Sequence, residues 1–233
     1  KIGQDNPAPT TAMKLRVKFI KMGWAALQGH LELMEILKRA ILRSKVPAAY
    51  SGGFHTQMKL AMGYALPLGI ESECEFFDLT VLAPILIPEF LRDLNQALPG
   101  GLKTIAASSI DLSTPSIYAQ TRWVNYQVPW PLGDFAQANC DFYKTLLDLQ
   151  QGKDLVFLRQ KRGDKRKEKS FSIKEHLRLS TELSEKSDFF EFSLRCDPDG
   201  SLKPSELVSA LSGIPVAGLT GLRIKKVGVD LAP

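Results

Sequence analysis

In residues 14–20, KLRVKFI, apolar and basic side chains alternate strictly, with Leu15, Val17 and Phe19 facing one way and Arg16 and Lys18 the other. A period of two is that of a strand buried on one face. In GHLELMEILKRAILRSK, residues 29–45, the period changes: Leu33, Met34, Leu37, Ala40 and Ile41 fall on one helical stripe, Glu35 and Arg39 are spaced to pair outside it, and Pro47 ends it. A chain that switches period in this way must pack a helix against a sheet.

The switching continues. Residues 48–51 and MKLAMGYAL read as short strands joined by GGFHTQ, and ECEFFDLTVL (73–82) as another. PEFLRDLNQAL (88–98) reads as a helix with Ile87, Leu91, Leu94 and Leu98 at helical spacing, and LKTIAAS (102–108) as a strand. DLSTPS (111–116) reads as a linker, after which the order starts over. IYAQTRWVNYQV is a predicted strand, and DFAQANCDFYKTLLDLQQ a helix with Phe135, Ala138, Phe142, Leu146 and Leu149 on its stripe. DLVFLRQK and FFEFSLR are predicted strands, PSELVSAL a helix and LRIKKVGV the last strand. The economical description is α+β with two tandem ferredoxin-like βαββαβ domains, residues 13–112 and 113–233. The first methionine is Met13, and residues 1–12, polar and proline-containing, read as a linker or extension of a longer fusion.

The stretch KMGWAALQGHLELMEILKRAILRSKVPAAYSGGF, followed by Lys59 and LPLGIESECEFFD, resembles the radical-SAM-linked protein family, a domain family of unsettled function. Lys21, Gly23, Leu27, His30, Arg39, Tyr50, Ser51, Gly53, Phe54 and LPLG at 66–69 carry the likeness, which continues more weakly through DGSLKPSEL and Arg223. The resemblance implies a context: such domains occur beside, or fused to the C-terminal side of, radical-SAM proteins, often near ribonuclease E/G and ribosomal-protein genes. It implies a partner that carries a [4Fe–4S] cluster and SAM. This chain departs from the family after Gly-Phe, with His55-Thr56-Gln57-Met58 where relatives have Asn-Pro-(His or Arg)-Pro.

Composition narrows the chemistry. Three cysteines, Cys74, Cys140 and Cys196, are too far apart in sequence for a cluster-binding or zinc motif and read as free thiols in a reducing, cytoplasmic compartment. With three scattered histidines there is no zinc pattern, so neither metal nor cofactor is expected on this chain. No apolar run is long enough for a membrane helix, and no membrane partner is expected. DPDGSL (197–202) has its glycine too early for a calcium loop and reads as a turn before a helix.

What remains is binding chemistry. SGGFHTQMK lacks the spacing of a phosphate loop, so Gly52 and Gly53 either make a structural turn or support a ligand loop carrying Tyr50, Phe54, His55 and Lys59. His30, at the start of the first helix, is either packed on the apolar edge or an acid–base group. In fold and position only, it is similar to the histidine of CRISPR RNA-processing endonucleases. Lys21, His30, Phe54, His55 and Lys59 are expected to converge on one cleft. RQKRGDKRKEK (159–169) sets seven cations against two acids: Arg159, Lys161, Arg162, Lys165, Arg166, Lys167 and Lys169. It reads as a hairpin with Gly163 at the tip, either solvated or an arm for phosphate. Cations on the strands (Arg16 and Lys18; Arg195; Arg223 and Lys225) favour recognition of an RNA backbone over base stacking. The resulting expectation is a non-catalytic accessory of a radical-SAM system that binds structured RNA, tRNA or rRNA. The alternatives are a metal-independent endoribonuclease using His30 or His55, and a domain that docks the radical-SAM partner without nucleic acid.

Overall fold

The computed structural model describes residues 12–52, 54–132, 136–161, 164–179, 188–197 and 200–232. The fold is α+β, and the chain divides into two compact units, residues 1–120 and 121–233. The division falls at Gln120/Thr121 rather than at 112/113. Residues 111–120 are not a linker but are fastened to the first unit: the Arg16 guanidinium donates to the Pro115 carbonyl and the Gln120 side chain, and Lys14 Nζ donates to the Thr114 carbonyl.

The first unit contains β1 (Met13–Lys21), a 3-10 turn (Gly23–Leu27), α1 (His30–Arg43), β2 (Leu60–Met62), β3 (Glu71–Val81), α2 (Ile87–Ala97), β4 (Leu102–Ile110) and the short α3 (Ile117–Gln120). β1 lies between β3 and β4 and is antiparallel to both, with β2 on the far side of β3, so the sheet runs β4-β1-β3-β2. The alternation of β1 works as its sequence predicts. Leu15, Val17 and Phe19 are fully buried and meet Leu79 and Phe77 across the ladder, under Leu33, Leu37, Ala40 and Ile41 of α1 and Phe90 and Leu94 of α2. Outside α1, Glu35 pairs with Lys38 at 2.8 Å.

Two predicted strands are cut short. Residues 48–51 make only isolated bridges, and the strand over MKLAMGYAL is confined to β2, beyond which the Gly63 N–H still donates to the Phe76 carbonyl at 2.9 Å. Residues 117–120, predicted as strand, form α3 instead: the Asp78 carboxylate takes the Ile117 N–H and Ser116 Oγ takes that of Ala119.

The second unit contains β5 (Thr121–Pro129), α4 (Ala136–Gln150), β6 (Val156–Lys161), β7 (Asp164–Ser172), α5 (Ile173–His176), β8 (Leu177–Leu179), β9 (Phe189–Arg195), α6 (Pro204–Ser212) and β10 (Lys225–Leu231). Its main sheet runs β10-β5-β9-β8, all antiparallel. Phe190, Phe192 and Leu194 are buried as their alternation predicts, and Phe142 of α4 packs edge-on against Phe190 at 5.0 Å. Phe135 and the Ala138 side chain of the predicted stripe lie outside the described residues. The strand beside β9 is not DLVFLRQK, as its pattern suggests, but the three residues of β8. DLVFLRQK pairs instead with the charged segment that follows it, and β6 and β7 form a separate two-stranded ribbon. The lysines and arginines of β7 conceal it from hydrophobic patterning. Among the described residues no helix is long and apolar enough to cross a membrane.

Candidate functional site

The ribbon β6–β7 carries the densest charge in the chain, and it is anchored at the fourth of its six ladder pairs. Arg159 and Lys169 stand directly opposite each other in the ladder, a like-charge pair that is unfavourable in isolation. Both are drawn onto Phe171, buried on β7: the Arg159 guanidinium carbon is 4.4 Å from its ring centroid and Lys169 Nζ 5.1 Å. Arg159 also donates to the Ser201 carbonyl at 2.8 Å and makes a two-pronged ion pair with Glu206, with Nε to Oε1 at 2.7 Å and Nη2 to Oε2. Lys169 donates to the Gly200 carbonyl.

Glu206 is the pivot. It lies in the first turn of α6, where a carboxylate is favoured by the helix dipole, and it accepts the Lys203 N–H at 2.8 Å while holding Arg159. The segment before α6 turns as expected, the Gly200 N–H donating to the Asp197 carbonyl at 2.9 Å. Arg159 therefore anchors the ribbon to α6. The backbone of Lys161 pairs with Asp164 at the far end of the ribbon. The side chains of Lys161, Arg162, Lys165, Arg166 and Lys167, and Gly163, lie outside the described residues.

The first unit separates the cleft residues expected to converge. Lys21 is 1% exposed, and its Nζ donates to the carbonyls of Gln28 at 2.8 Å and Ala26 at 3.4 Å, which binds the 3-10 turn to the end of β1. Burial pushes its ammonium below the ordinary pKa, opposed by the Glu75 carboxylate. It is a structural cation and not part of an open cleft. His30, half-buried, opens α1 at this same end of the sheet.

Tyr50, Phe54, His55 and Lys59 belong to an excursion that leaves the sheet at the other end. Ala49 and Lys59 pair with each other and with Thr80, Tyr50 bridges Met58, and Ser51 pairs with Gln57. At its tip Phe54 is 99% exposed and meets the His55 ring in a T-shaped arrangement, at 5.3 Å. In the β1–β3 ladder Thr80 is opposite Lys14, whereas Lys21 is opposite Ser72. Seven positions of β1 separate them, about 23 Å at ~3.3 Å per residue. The shared cleft does not form, because α1 runs back along the sheet and carries the chain from one end to the other before the excursion begins.

Sequence reasoning also missed an apolar surface. Trp24 is 86% exposed, with Leu27 beside it in the 3-10 turn, Leu31 at the start of α1 and Leu68 next to Gly69, whose N–H donates to Ala26. The 3-10 spacing puts Trp24 and Leu27 on one face, a signal that was present in GWAAL.

On the open face of the first sheet, Arg16 is spent on Asp78, with Nε to Oδ1 at 2.8 Å and Nη2 to Oδ2 at 3.1 Å, and is not available to a ligand. Of the cysteines, Cys74 is buried and Cys196 half-buried, while the Cys140 side chain lies outside the described residues. Burial pushes the Cys196 thiol up to about 12, against the opposing pull of Lys226 and Arg122.

Residues 14–204 match the bacterial family described as "Uncharacterized protein conserved in bacteria (DUF2344)", and the chain belongs to it. No curated protein matches the chain.

Proposed function

We propose that this chain is a non-catalytic binding module that engages structured RNA, tRNA or rRNA, through its phosphate backbone, as the cytoplasmic accessory of a radical-SAM protein. On this reading the partner carries the [4Fe–4S] cluster and SAM, and the two units are tandem ferredoxin-like domains; the strand order 4-1-3-2 in each supports this, with the ribbon inserted before the second strand of the second unit. The observation that carries the reading is the ribbon: Glu206 and Phe171 hold Arg159, and Phe171 holds Lys169, while the sequence puts five more cations between these two. A ribbon anchored at Arg159 and Lys169, whose sequence carries five further cations between those two positions, suits a groove lined by phosphates, where affinity comes from counterion release.

Binding of bulk tRNA at a series of salt concentrations tests it. Neutralising Lys161, Arg162, Lys165, Arg166 and Lys167, while leaving Arg159 in place, is expected to weaken binding and flatten its dependence on salt. Absence of tRNA affinity in wild type even at ~50 mM salt overturns the reading.

The Trp24 surface favours a second reading, a domain that docks a protein partner without nucleic acid. The endoribonuclease has less support, since His30 and His55 stand near opposite ends of the first sheet and do not form an acid–base pair.

A further inference from the structure

The second unit has a feature that the ribbon does not use. Val124, Tyr126 and Val128 of β5 and Phe190, Phe192 and Leu194 of β9 are buried, so strand alternation turns Trp123, Asn125 and Gln127, with Glu191, Ser193 and Arg195, to the opposite face. The ladder sets Arg195 directly across from Trp123, and Arg178 of β8 across from Ser193. From there Arg178 reaches diagonally over the Trp123 ring, its guanidinium carbon 3.9 Å from the centroid. Arg178 and Arg195 therefore stand on the same face of the sheet, one over the Trp123 ring and the other opposite Trp123 in the ladder.

Most polar groups on this face are matched: Gln127 donates to Glu191 at 2.9 Å, and Asn125 donates to Asp230, which stands beyond Trp123 on β10, at 3.1 Å. The arginines differ. Both are exposed, and among the described residues neither is paired with a carboxylate. Neighbouring like charges are unfavourable until an anion joins them. A guanidinium held over an indole also offers its other side as a surface on which a nucleobase stacks.

We propose that Trp123, Arg178 and Arg195 form a binding site for one nucleotide of single-stranded RNA, with the base stacked on the Arg178–Trp123 platform and the adjoining phosphate held by Arg195 and the edge of Arg178. The site rests on the RNA reading above but uses residues that the ribbon does not supply. It adds a contact to unpaired RNA beside a contact to structured backbone, so the matching substrate has a single-stranded segment next to a folded one.

Tryptophan fluorescence with a 5′-phosphorylated oligouridylate as probe tests the site. Wild type is expected to be quenched saturably and Trp123→Phe to lose that quenching with an unchanged circular dichroism spectrum. Arg178→Ala with Arg195→Ala should weaken binding about tenfold or more, the scale of one lost stacked base. The variant with the five ribbon cations neutralised should keep the quenching. Quenching unchanged in the double arginine variant, or absent from wild type that still binds tRNA through the ribbon, overturns this site and leaves the ribbon reading intact. Quenching that needs Trp123 and both arginines, in a protein whose tRNA binding ignores the ribbon, supports the site and counts against the ribbon.

Discussion

Asp78 is 1% exposed on its side chain, and its two oxygens take Arg16 from one side and the Ile117 N–H from another. Removing one partner of such a pair strands the other in a poor environment, so Asp78→Ala should destabilise the protein by about 3–5 kcal/mol, read from the urea midpoint at unchanged slope. Cys196 makes a prediction about pH. Its thiol is held protonated up to about 12, against an ordinary value of 9.0. Between those values the unfolded thiol ionises while the folded one keeps its proton, so this group's contribution makes stability fall as pH rises through that window and is silent below it. The same cause makes Cys196 slow to alkylate. Iodoacetamide at pH 8.5 should modify it far more slowly in native protein than in urea, as followed by mass spectrometry, and equal rates would contradict a buried thiol.

Among elements, β4 is instructive because it is a sheet edge, with no second strand beside it among the described residues. Next to its bulge, the Asn95 carboxamide accepts from the Thr104 N–H at 2.7 Å and donates to the Thr104 carbonyl at 2.9 Å, occupying both groups as a neighbouring strand would. This blunts the edge. Asn95→Ala should cost about 1–3 kcal/mol and also promote concentration-dependent association, measured by sedimentation. The ribbon depends on a single helix turn in a similar way. Glu206→Gln keeps the side chain's shape but loses its charge. It should loosen the ribbon by about 1–2 kcal/mol, seen as a roughly tenfold rise in amide exchange at Leu158 and Ser170 with α6 still helical.

At the scale of the whole molecule the formal net charge is +5, and the five cations of the basic run between Arg159 and Lys169 account for a charge of that size. Neutralising them should bring the chain close to electrical neutrality and, on the RNA reading above, leave the thermal midpoint nearly unchanged, because charges kept for an external phosphate contribute little to stability. The effect should appear instead in electrophoretic mobility and in the salt dependence of RNA binding, where each lost phosphate contact lowers the slope by about 0.7–0.9. A large fall in the midpoint would mean that these cations are spent inside the fold as Arg159 is.

The sequence by itself determined which elements form wherever one face is buried: β1, α1, β3, α2 and β9 follow their apolar periods, since burying alternate or helically spaced side chains admits one backbone geometry. It also showed that the basic run forms a hairpin. Tertiary structure decided what periodicity does not encode. β7 is a strand whose alternation is hidden by lysines, and β8 is too short to leave a pattern. Lys21, Arg16 and Arg159 look alike as exposed cations in sequence, yet carbonyls, Asp78 and Glu206, all brought close by folding, consume them. Conversely, Trp123 and Arg178 lie 55 positions apart and meet only because β9 aligns β8 with β5. Burial is a local preference that each segment carries with it, whereas the partner of a charge is set by the register of strands distant in sequence.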